Sequence, residues 1–340
     1  MAAGEVLRLD LALQGGGSHG AFTWGVLDLL LEQDWLEIEG VSGTSAGAMN
    51  ASVMADGLAA GGRDQARAQL EAFWRRVADA AAFSPLRRGP LDVLTGRWTL
   101  DYSPVYLAMD LAARIFSPYD LNPGGGNPLS AILEQSVCFE RLTGGPVELF
   151  ITATNVLTGR GRVFRNPEIT ADVLLASACL PTLYQAVEID GEPYWDGGYS
   201  GNPTMTPLVK NCTSQDIVLV QINPIRRDRP PRSAREIHNR INEVSFNATL
   251  LKELRMLALL RRATAAAGGE AGRWAETRIH RIISDGLADL GASSKLNAEW
   301  PFLTMLRDKG RETAQAFLDR RRSDLGRRST YDIDVLLEGV

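Results

Sequence analysis

The chain has 340 residues, 45% of them hydrophobic, which is the composition of a globular protein with a sizeable core. Its formal net charge of −5 provides no overall basic field of the kind that binds nucleic acid, so no nucleic-acid partner is expected. The three cysteines are odd in number and lack CxxC spacing, which argues against a disulfide framework or a zinc site and fits a reducing, cytoplasmic setting.

The first predicted strand leads into a glycine-rich loop. Residues 10–14 alternate leucine with small or polar neighbours and stop at Gly-Gly-Gly-Ser-His-Gly, residues 15–20. Helical spacing of apolar residues follows, so Gly20 is predicted to begin a helix. A helix N-terminus leaves unpaired N–H groups with partial positive charge, which favour an anion. The candidate oxyanion hole consists of Gly15, Gly16, Gly17 and Ser18.

The second glycine-rich turn, residues 43–47, has the form GxSxG. It follows a short strand end and precedes a predicted helix of small residues over 46–58. This is the pattern of a nucleophile elbow, a sharp strand-to-helix turn that exposes a serine hydroxyl. That hydroxyl is a weak nucleophile and needs a base. Two such loops in series, each between a strand and a helix, favour an acyl hydrolase with Ser45 as its nucleophile.

The first loop also fits another class of protein. Gly15-x-Gly17-x-x-Gly20 matches the fingerprint of a dinucleotide-binding unit, which has an acidic residue about 20 positions later at the end of the next strand. Glu37 and Glu39 are roughly placed for that role. The strand that follows them runs instead into the GxSxG turn, for which a dinucleotide-binding unit has no use. A nucleotide-binding oxidoreductase therefore stays an alternative to the hydrolase.

The middle of the chain is predicted to contain further core elements and an insertion. Apolar periodicity predicts a helix over 63–82, a buried strand over 147–155 and a helix over 170–179. Between them, 83–128 is an insertion broken by proline and glycine, with a short helix over 105–115. Because its aromatic residues are too many for a solvated loop, we expect it to form an acyl-chain wall or a lid. These aromatic residues are Trp98, Tyr102, Tyr106, Phe116 and Tyr119.

The base for Ser45 is not evident among the histidines. His19 lies inside the first glycine loop. His238 lies at the polar start of a long helical pattern, and His280 lies on the polar face of an alternating strand with two arginines. No glycine turn or acidic companion marks either as catalytic, so the sequence leaves a Ser-His-Asp triad unsupported.

A carboxylate is the other candidate base. Residues 187–195 read as a hairpin with an Asp-Gly turn, and Asp196 follows at the end of its second strand, before two glycines. Apolar neighbours raise the pKa of a carboxylate and make it a better base. Asp-Gly is also among the commonest turn dipeptides, so this feature alone leaves the role of Asp196 open.

The last part of the chain is predicted to be largely helical. A strand of parallel-sheet character over 216–223 precedes a break rich in proline and arginine, which ends at Ser233. A long amphipathic helix is then predicted over 235–267, and it could pack on the core, pair in a homodimer or lie on an anionic membrane surface. We favour packing. The tail over 307–328 holds another helix with a basic, solvated face.

The glycine loop 15–20, the elbow 43–47 and Asp196-Gly197-Gly198, in this order, resemble the patatin-like phospholipase family. The segment 174–181 also looks like the helix-to-proline segment that precedes the aspartate strand in that family. The resemblance covers roughly residues 9–223. It implies that Ser45 is the nucleophile and Asp196 the only side-chain base, in a dyad without histidine.

One position departs from the resembled family. That family often has arginine or lysine at the fifth position of the oxyanion loop, and this chain has His19. A fixed positive charge is therefore missing at neutral pH unless the histidine is protonated. We expect His19 to tune the loop and the backbone donors to form the oxyanion hole.

The resemblance implies a lipid acyl ester as substrate and a serine acyl hydrolase of the phospholipase A, lysophospholipase or esterase type. An intracellular esterase for hydroxyalkanoate oligomers uses the same site and stays an alternative. A regulatory or membrane-binding protein with a vestigial site is disfavoured because serine, aspartate and glycine loop occur together. This chemistry requires no metal and no cofactor.

The predicted fold is α/β, a three-layer α/β/α sandwich with a mainly parallel central sheet and a C-terminal helical extension. The predicted division is a catalytic domain over 1–223, containing the insertion 83–128, and an extension over 224–340 that packs on it. No stretch reaches the apolar length of a transmembrane helix, and the N-terminus is too short and too acidic for a secretory signal. A cytoplasmic location is expected, with peripheral contact at the inner membrane surface left open.

Overall fold

The structure is a computed structural model that describes residues 6–82, 84–265 and 269–338. The predicted N-terminal segment 1–5, residue 83 at the start of the predicted insertion and the last two residues of the predicted helix 235–267 lie outside the described residues.

The described chain contains alternating strands and helices. The strands are β1 (Leu7–Leu13), β2 (Leu36–Gly43), β3 (Glu148–Asn155), β4 (Gly161–Arg165), β5 (Val187–Ile189), β6 (Glu192–Asp196), β7 (Asp216–Val220) and β8 (Arg278–Ile282). The helices are α1 (Gly20–Leu31), α2 (Ala46–Gly61), α3 (Arg63–Ala81), α4 (Pro90–Leu94), α5 (Pro104–Ala112), α6 (Pro118–Leu121), α7 (Pro128–Ser136), α8 (Phe139–Thr143), α9 (Ala171–Ser177), α10 (Thr206–Asn211), α11 (Ala234–Ala263), α12 (Gly269–Glu276) and α13 (Trp300–Arg321). Short 3-10 helices include 17–19, 197–199 and 292–296.

The strands form one eight-stranded sheet in the order β5-β6-β3-β2-β1-β7-β8, with β4 paired to β3. The strands from β3 through β2, β1 and β7 to β8 are parallel, whereas β4, β5 and β6 pair antiparallel at one side. The mainly parallel central sheet predicted from the sequence is confirmed.

Both faces of this sheet are covered. In β1, Leu9, Leu11 and Leu13 belong to one hydrophobic cluster, whereas Ala12 belongs to a second. This alternation follows from the two-residue period of a strand, which points successive side chains to opposite faces. Helices α1, α2, α3, α7, α9 and α13 cover the first face, and α10, α11 and α12 cover the second. The result is a three-layer α/β/α fold, as predicted.

The helices and strands that flank the glycine loops lie where the sequence predicts them. Helix α1 begins at Gly20, and α2 runs from Ala46 through the predicted span 46–58. The hairpin predicted over 187–195 is formed by β5 and β6, with Asp190 and Gly191 at positive φ in its turn. Strand β4 has no counterpart among the sequence predictions, because five residues beside a longer strand give little periodic signal.

The segment after residue 223 is largely helical, but it also contributes to the sheet. Strand β8 pairs in parallel with β7 along the whole of both strands. Helix α13 packs against α1, where a Cβ atom at Gly25 or Gly310 would collide with the backbone of the facing helix. The division at residue 223 stays a prediction, and in the structure the sheet and its covering layer continue across it.

Helix α11 divides into two parts along its length. Its second half packs on the sheet through Leu250, Leu254 and Ala258, which agrees with the favoured alternative for this helix. In its first half, Ile237 and Ile241 are exposed. Whether this half contacts a membrane or a second subunit stays a prediction. None of the described helices is both long and apolar enough to cross a membrane.

Candidate active site

The two glycine loops meet at one edge of the sheet. They follow β1 and β2, which are parallel neighbours whose last residues, Leu13 and Gly43, are paired. A Cβ atom at Gly15 would lie 2.7 Å from the carbonyl oxygen of Thr44 and 2.8 Å from the Cβ of Ser45. Only glycine permits this approach, so the first loop is held directly against the serine turn.

Ser45 has the strained backbone expected of a nucleophile elbow. Its φ is 55° and its ψ is −125°, a region that residues with a side chain rarely adopt. The amide of Ser45 donates to the hydroxyl of Ser177 at 2.9 Å, and that hydroxyl donates to the carbonyl of Thr152 at 2.7 Å. The serine turn is thereby tied to β3. The Ser45 side chain stands at the N-terminus of α2, where negative charge is favoured.

Asp196 is brought to the same edge by β6. This strand pairs antiparallel with β3, and Asp196 lies opposite Ala153. The carboxylate is 2% exposed and accepts a hydrogen bond from the amide of Gly198 at 2.7 Å. Burial raises the pKa of Asp196 to about 7, against the lowering effects of Gly198, the Ser45 hydroxyl and Lys295. The carboxylate therefore titrates close to neutral pH, which suits a general base.

The Ser45 hydroxyl lowers the pKa of Asp196, so the two side chains interact. Among the contacts of the described residues, no hydrogen bond of ordinary length joins them. In free enzymes, catalytic hydrogen bonds are often long and shorten when substrate binds. Phe246 of α11 adds a wall to this region, because it would collide with a Cβ atom at Gly198, and its ring lies 5.3 Å from that of Tyr199.

The structure corrects the predicted oxyanion hole at Gly15. Its amide donates to the side-chain oxygen of Asn202 at 2.7 Å, so it is not free to bind an oxyanion. Gly15 instead positions the loop. The amides of Gly16, Gly17 and Ser18 have no acceptor among the described residues. Gly17 has φ of +58°, a conformation that favours glycine.

Buried amide side chains hold the first loop against β7 and α11. Gln14 accepts from the amides of Ile222 and Asn223 at 2.9 and 2.8 Å and donates to Asn247 at 3.0 Å. Asn223 donates to the carbonyl of Gly15 at 2.8 Å. These hydrogen bonds fix the loop, because a buried polar network whose groups are paired is rigid.

His19 does not carry the positive charge that protonation would give to this position of the loop. It is 2% exposed, its Nε2 lies 2.7 Å from the hydroxyl of Ser294, and its ring packs edge-on against Phe302. Burial, and then the charge of Lys295, lower the pKa of His19 to about 3. His19 therefore stays neutral across the pH range in which an ordinary histidine gains its charge. The histidine is neutral, and it anchors the loop to the 3-10 helix 292–296.

The other histidines stay outside the site. His238 is exposed on α11, as expected for a solvated residue. His280 is buried, with Nε2 2.9 Å from Asp216 and Nδ1 3.0 Å from Thr330. The expectation of a polar strand face without an acidic companion was wrong, because β8 lies inside the molecule beside β7. Asp216 begins β7, at the end of the sheet opposite to the glycine loops.

The acidic residues considered for dinucleotide binding have other roles. Glu37 forms an ion pair with Arg8 at 3.0 Å. Glu39 accepts hydrogen bonds from Thr213 and Ser214. Neither lies at the carboxyl end of β2, where a ribose would bind.

The predicted insertion contains both core and surface residues. Trp98 stacks on Phe302 with ring centroids 5.2 Å apart, so it is part of the packed interior. Helix α5 buries none of its side chains, and Leu107 and Leu111 are among its exposed residues. The insertion is joined to the segment before β5 because Gln185 donates to the carbonyl of Asn122 at 2.7 Å.

Several residues near the site were not predicted from the sequence: Ser177, Asn202, Asn223, Asn247, Ser294 and Lys295. Each acts through a contact with a distant part of the chain, which local periodicity does not report. Lys295 carried the only usable signal. Lysine occurs only at 210, 252, 295 and 309, so a lysine that follows two serines in the C-terminal segment is conspicuous.

Comparisons with known proteins found a family and a relative. The sequence model of a family described as Patatin-like phospholipase matches residues 11–209, which include both glycine loops and Asp196. A relative, the uncharacterized protein YjjU of Escherichia coli K12, is 28% identical over 198 residues. That match covers 57% of this chain and 46% of YjjU, so this chain spans about half the length of the curated relative it matches.

Two solved structures are also similar. VipD from Legionella pneumophila matches with a TM-score of 0.39 and 14% identity, covering 92% of this chain and 67% of that chain. The type III effector ExoU of Pseudomonas aeruginosa matches with a TM-score of 0.34 and 16% identity, covering 92% of this chain and 53% of that chain. Since the family model matches more than half of the sequence, this chain belongs to the patatin-like phospholipase family.

Proposed function

We propose that this protein is a serine acyl hydrolase that cleaves carboxylic esters of lipids through an acyl-Ser45 intermediate. One observation carries the proposal most strongly: a strained serine lies beside a buried carboxylate whose pKa is about 7. The unpaired amides of the first loop lie on the same edge of the sheet. Membership of the patatin-like phospholipase family supports lipid acyl hydrolysis as the general activity.

The acylation step follows from this arrangement. The Asp196 carboxylate takes the proton of the Ser45 hydroxyl while the serine oxygen attacks the acyl carbonyl carbon. The amides of Gly16, Gly17 and Ser18 are the donors for the oxyanion that develops, each worth about 3 kcal/mol. When the tetrahedral intermediate collapses, the bond to the alcohol oxygen breaks, and the protonated Asp196 gives its proton to that oxygen.

Deacylation repeats the same steps with water. Asp196 takes a proton from a water molecule as its oxygen attacks the acyl carbon, and the oxyanion occupies the same amides. The bond to the Ser45 oxygen then breaks, and the serine recovers its proton from Asp196. The products are a carboxylic acid and the free enzyme, so neither step needs a metal or an organic cofactor.

The exposed apolar surface of the insertion supports a lipid as the substrate. Helix α5 presents Leu107 and Leu111 to solvent, and the neighbouring Ile115 and Phe116 are also exposed. Isolated exposed apolar residues are common, but a contiguous set is typical of an interaction site. Gln185 joins the insertion to the segment that leads into β5 and β6. We propose that it contacts lipid during substrate uptake.

A panel of acyl esters tests the proposal. Phospholipids, lysophospholipids, neutral lipids, hydroxyalkanoate oligomers and a soluble aryl ester are offered to the wild-type protein, Ser45→Ala and Asp196→Asn. We expect the wild type to hydrolyse lipid esters and both variants to lose turnover, with His238→Ala as the matched active control. Hydrolysis only of hydroxyalkanoate oligomers would replace the lipid assignment, and retention of activity by Ser45→Ala would remove the serine mechanism.

A further inference from the structure

A partly buried segment of the C-terminal region lies directly against the oxyanion loop. It is the 3-10 helix 292–296, which packs on the 3-10 helix 17–19. A Cβ atom at Gly17 would lie 2.5 Å from the carbonyl oxygen of Lys295 and 3.3 Å from its Cβ. On the same segment, Ser294 holds His19. Lys295 is therefore fixed next to the amides that are candidates for binding the oxyanion.

The ammonium group of Lys295 is linked to this loop through one amide side chain. Its Nζ donates to Oδ1 of Asn223 at 2.6 Å. The Nδ2 of Asn223 donates in turn to the carbonyl oxygen of Gly15 at 2.8 Å. An amide side chain that accepts from a cation becomes a stronger donor at its nitrogen. The charge of Lys295 thus strengthens the bond that holds the first residue of the loop.

Several charged and titratable groups surround Lys295. Asp196 and Glu243 raise its pKa, Arg227 lowers it, and Lys295 in turn lowers the pKa values of Asp196 and His19. Burial is the largest effect and brings the pKa of Lys295 to about 8, so the group is protonated at neutral pH.

The neighbouring charges leave Lys295 without a direct carboxylate partner. Glu243 is buried and is bound by Arg227 and by Arg240. Among the described residues, the only hydrogen-bond partner of Nζ is the neutral side chain of Asn223. A half-buried ammonium that lacks a bound counter-ion is costly, and a negative charge formed nearby during reaction would compensate it.

We propose that Lys295 supplies the positive charge of the oxyanion hole, acting on the loop through Asn223 and on the developing anion through its field. This inference rests on the proposed acyl hydrolase function. On this proposal, the C-terminal segment takes part in the reaction, and Lys295 supplies the charge that the neutral His19 does not. Lys295 is a positioning and electrostatic residue: it stabilises the ionised form of Asp196 and the tetrahedral intermediate.

The test compares Lys295→Met, which keeps the length of the side chain and removes its charge, with Lys309→Met. Lys309 is an exposed lysine paired with Glu312 on α13 and serves as the matched control. On a soluble ester, we expect kcat of Lys295→Met to fall by about 10- to 100-fold, somewhat less than the loss of a direct donor. KM should change little, and Lys309→Met should match the wild type. An unchanged kcat in Lys295→Met would overturn the inference.

The pH dependence of kcat/KM separates the charge of Lys295 from a structural role. In the wild type, kcat/KM should decline as the pH rises through about 8, because Lys295 loses its proton there. Lys295→Arg keeps a charge that does not titrate in this range and should move the decline to higher pH. A wild-type profile that stays flat above pH 8, or a decline unmoved in Lys295→Arg, would contradict the proposal even if Lys295→Met failed to fold.

The outcomes also separate this inference from the proposed function. If the wild type hydrolyses no acyl ester and a fluorophosphonate does not label Ser45, the hydrolase function itself fails, and the role of Lys295 falls with it. If the wild type is active and labelled, but the Lys295 variants behave like it, only the role of Lys295 fails.

Discussion

The hydroxyl of Ser177 accepts a hydrogen bond from the amide of Ser45 at 2.9 Å. Since the same hydroxyl donates to the carbonyl of Thr152, it connects the strained serine turn to β3 through a buried side chain. Backbone strain at a functional residue persists only where the surroundings enforce it. Ser177, at the end of α9, is one of the groups that enforce it here.

Ser177→Ala should therefore impair the elbow. The amide of Ser45 would lose its acceptor in the interior, a loss worth about 1–3 kcal/mol. We expect a lower unfolding temperature and a kcat reduced by about tenfold on a soluble ester. Ser52→Ala is the matched control, because the Ser52 hydroxyl is buried without a hydrogen-bond partner among the described residues and should be dispensable. Equal effects of the two substitutions would refute a specific role for Ser177.

The activity should depend on the ionisation of Asp196. Burial raises the pKa of Asp196 to about 7, and only the ionised form accepts the serine proton. We expect kcat/KM on a soluble ester to rise with pH, and the midpoint of this rise should lie near pH 7. A midpoint near the ordinary aspartate value of about 4 would show that this carboxylate is not the base.

Asp196 should also reduce stability at neutral pH. Because its pKa is raised in the folded state, the folded protein binds more protons than the unfolded chain between about pH 4 and pH 7. Stability from this group is fully present below the unfolded-state pKa and is lost as the pH rises through about 7. Asp196→Asn, which cannot ionise, should unfold at higher temperature than the wild type at pH 8 and gain little at pH 4. A wild type that is the more stable of the two at pH 8 would contradict this assignment.

His19→Arg should inactivate the protein. The arginine charge would lie in a buried position beside Lys295, and its side chain would displace the contact with Ser294. We expect a lower unfolding temperature and a loss of at least about tenfold in kcat, since the loop would shift. His19→Gln can retain a hydrogen bond to Ser294 and should keep most of the activity. A fully active, stable His19→Arg would show that the loop tolerates a second cation.

Local sequence patterns pointed to the candidate site residues, but they did not reveal the residues that hold these in place. The elbow, the loop over 15–20 and Asp196 were found because each lies at a junction between a strand and a helix or glycine turn, which is a local signal. The roles of Gly15, His19 and Lys295 depend on partners contributed by residues after position 200, and no local pattern reports them. The surroundings of His280 were wrongly predicted for the same reason. The alternation of β8 does not reveal that β7 lies beside this strand.

The exposed leucines of α5 should affect the hydrolysis of aggregated lipid but not that of a soluble ester. An apolar side chain that enters lipid contributes about 1.5–3 kcal/mol, so Leu107→Glu with Leu111→Glu should reduce hydrolysis of phospholipid vesicles at least about tenfold. Since α5 buries none of its side chains, the unfolding temperature and the turnover of a soluble ester should stay unchanged. Leu259→Glu, at another exposed leucine, is the matched control. Equal loss on vesicles and on the soluble ester would exclude a lipid-contacting role.

Acylation of Ser45 can be observed directly. The protein is quenched with acid during turnover of an ester, and the mass of the peptide that carries residue 45 is measured. We expect this peptide to gain the mass of the acyl group in the wild type and not in Ser45→Ala, whose turnover should fall by about 10⁴-fold or more. An acyl group found on another residue, or full ester hydrolysis by a folded Ser45→Ala, would contradict the proposed mechanism.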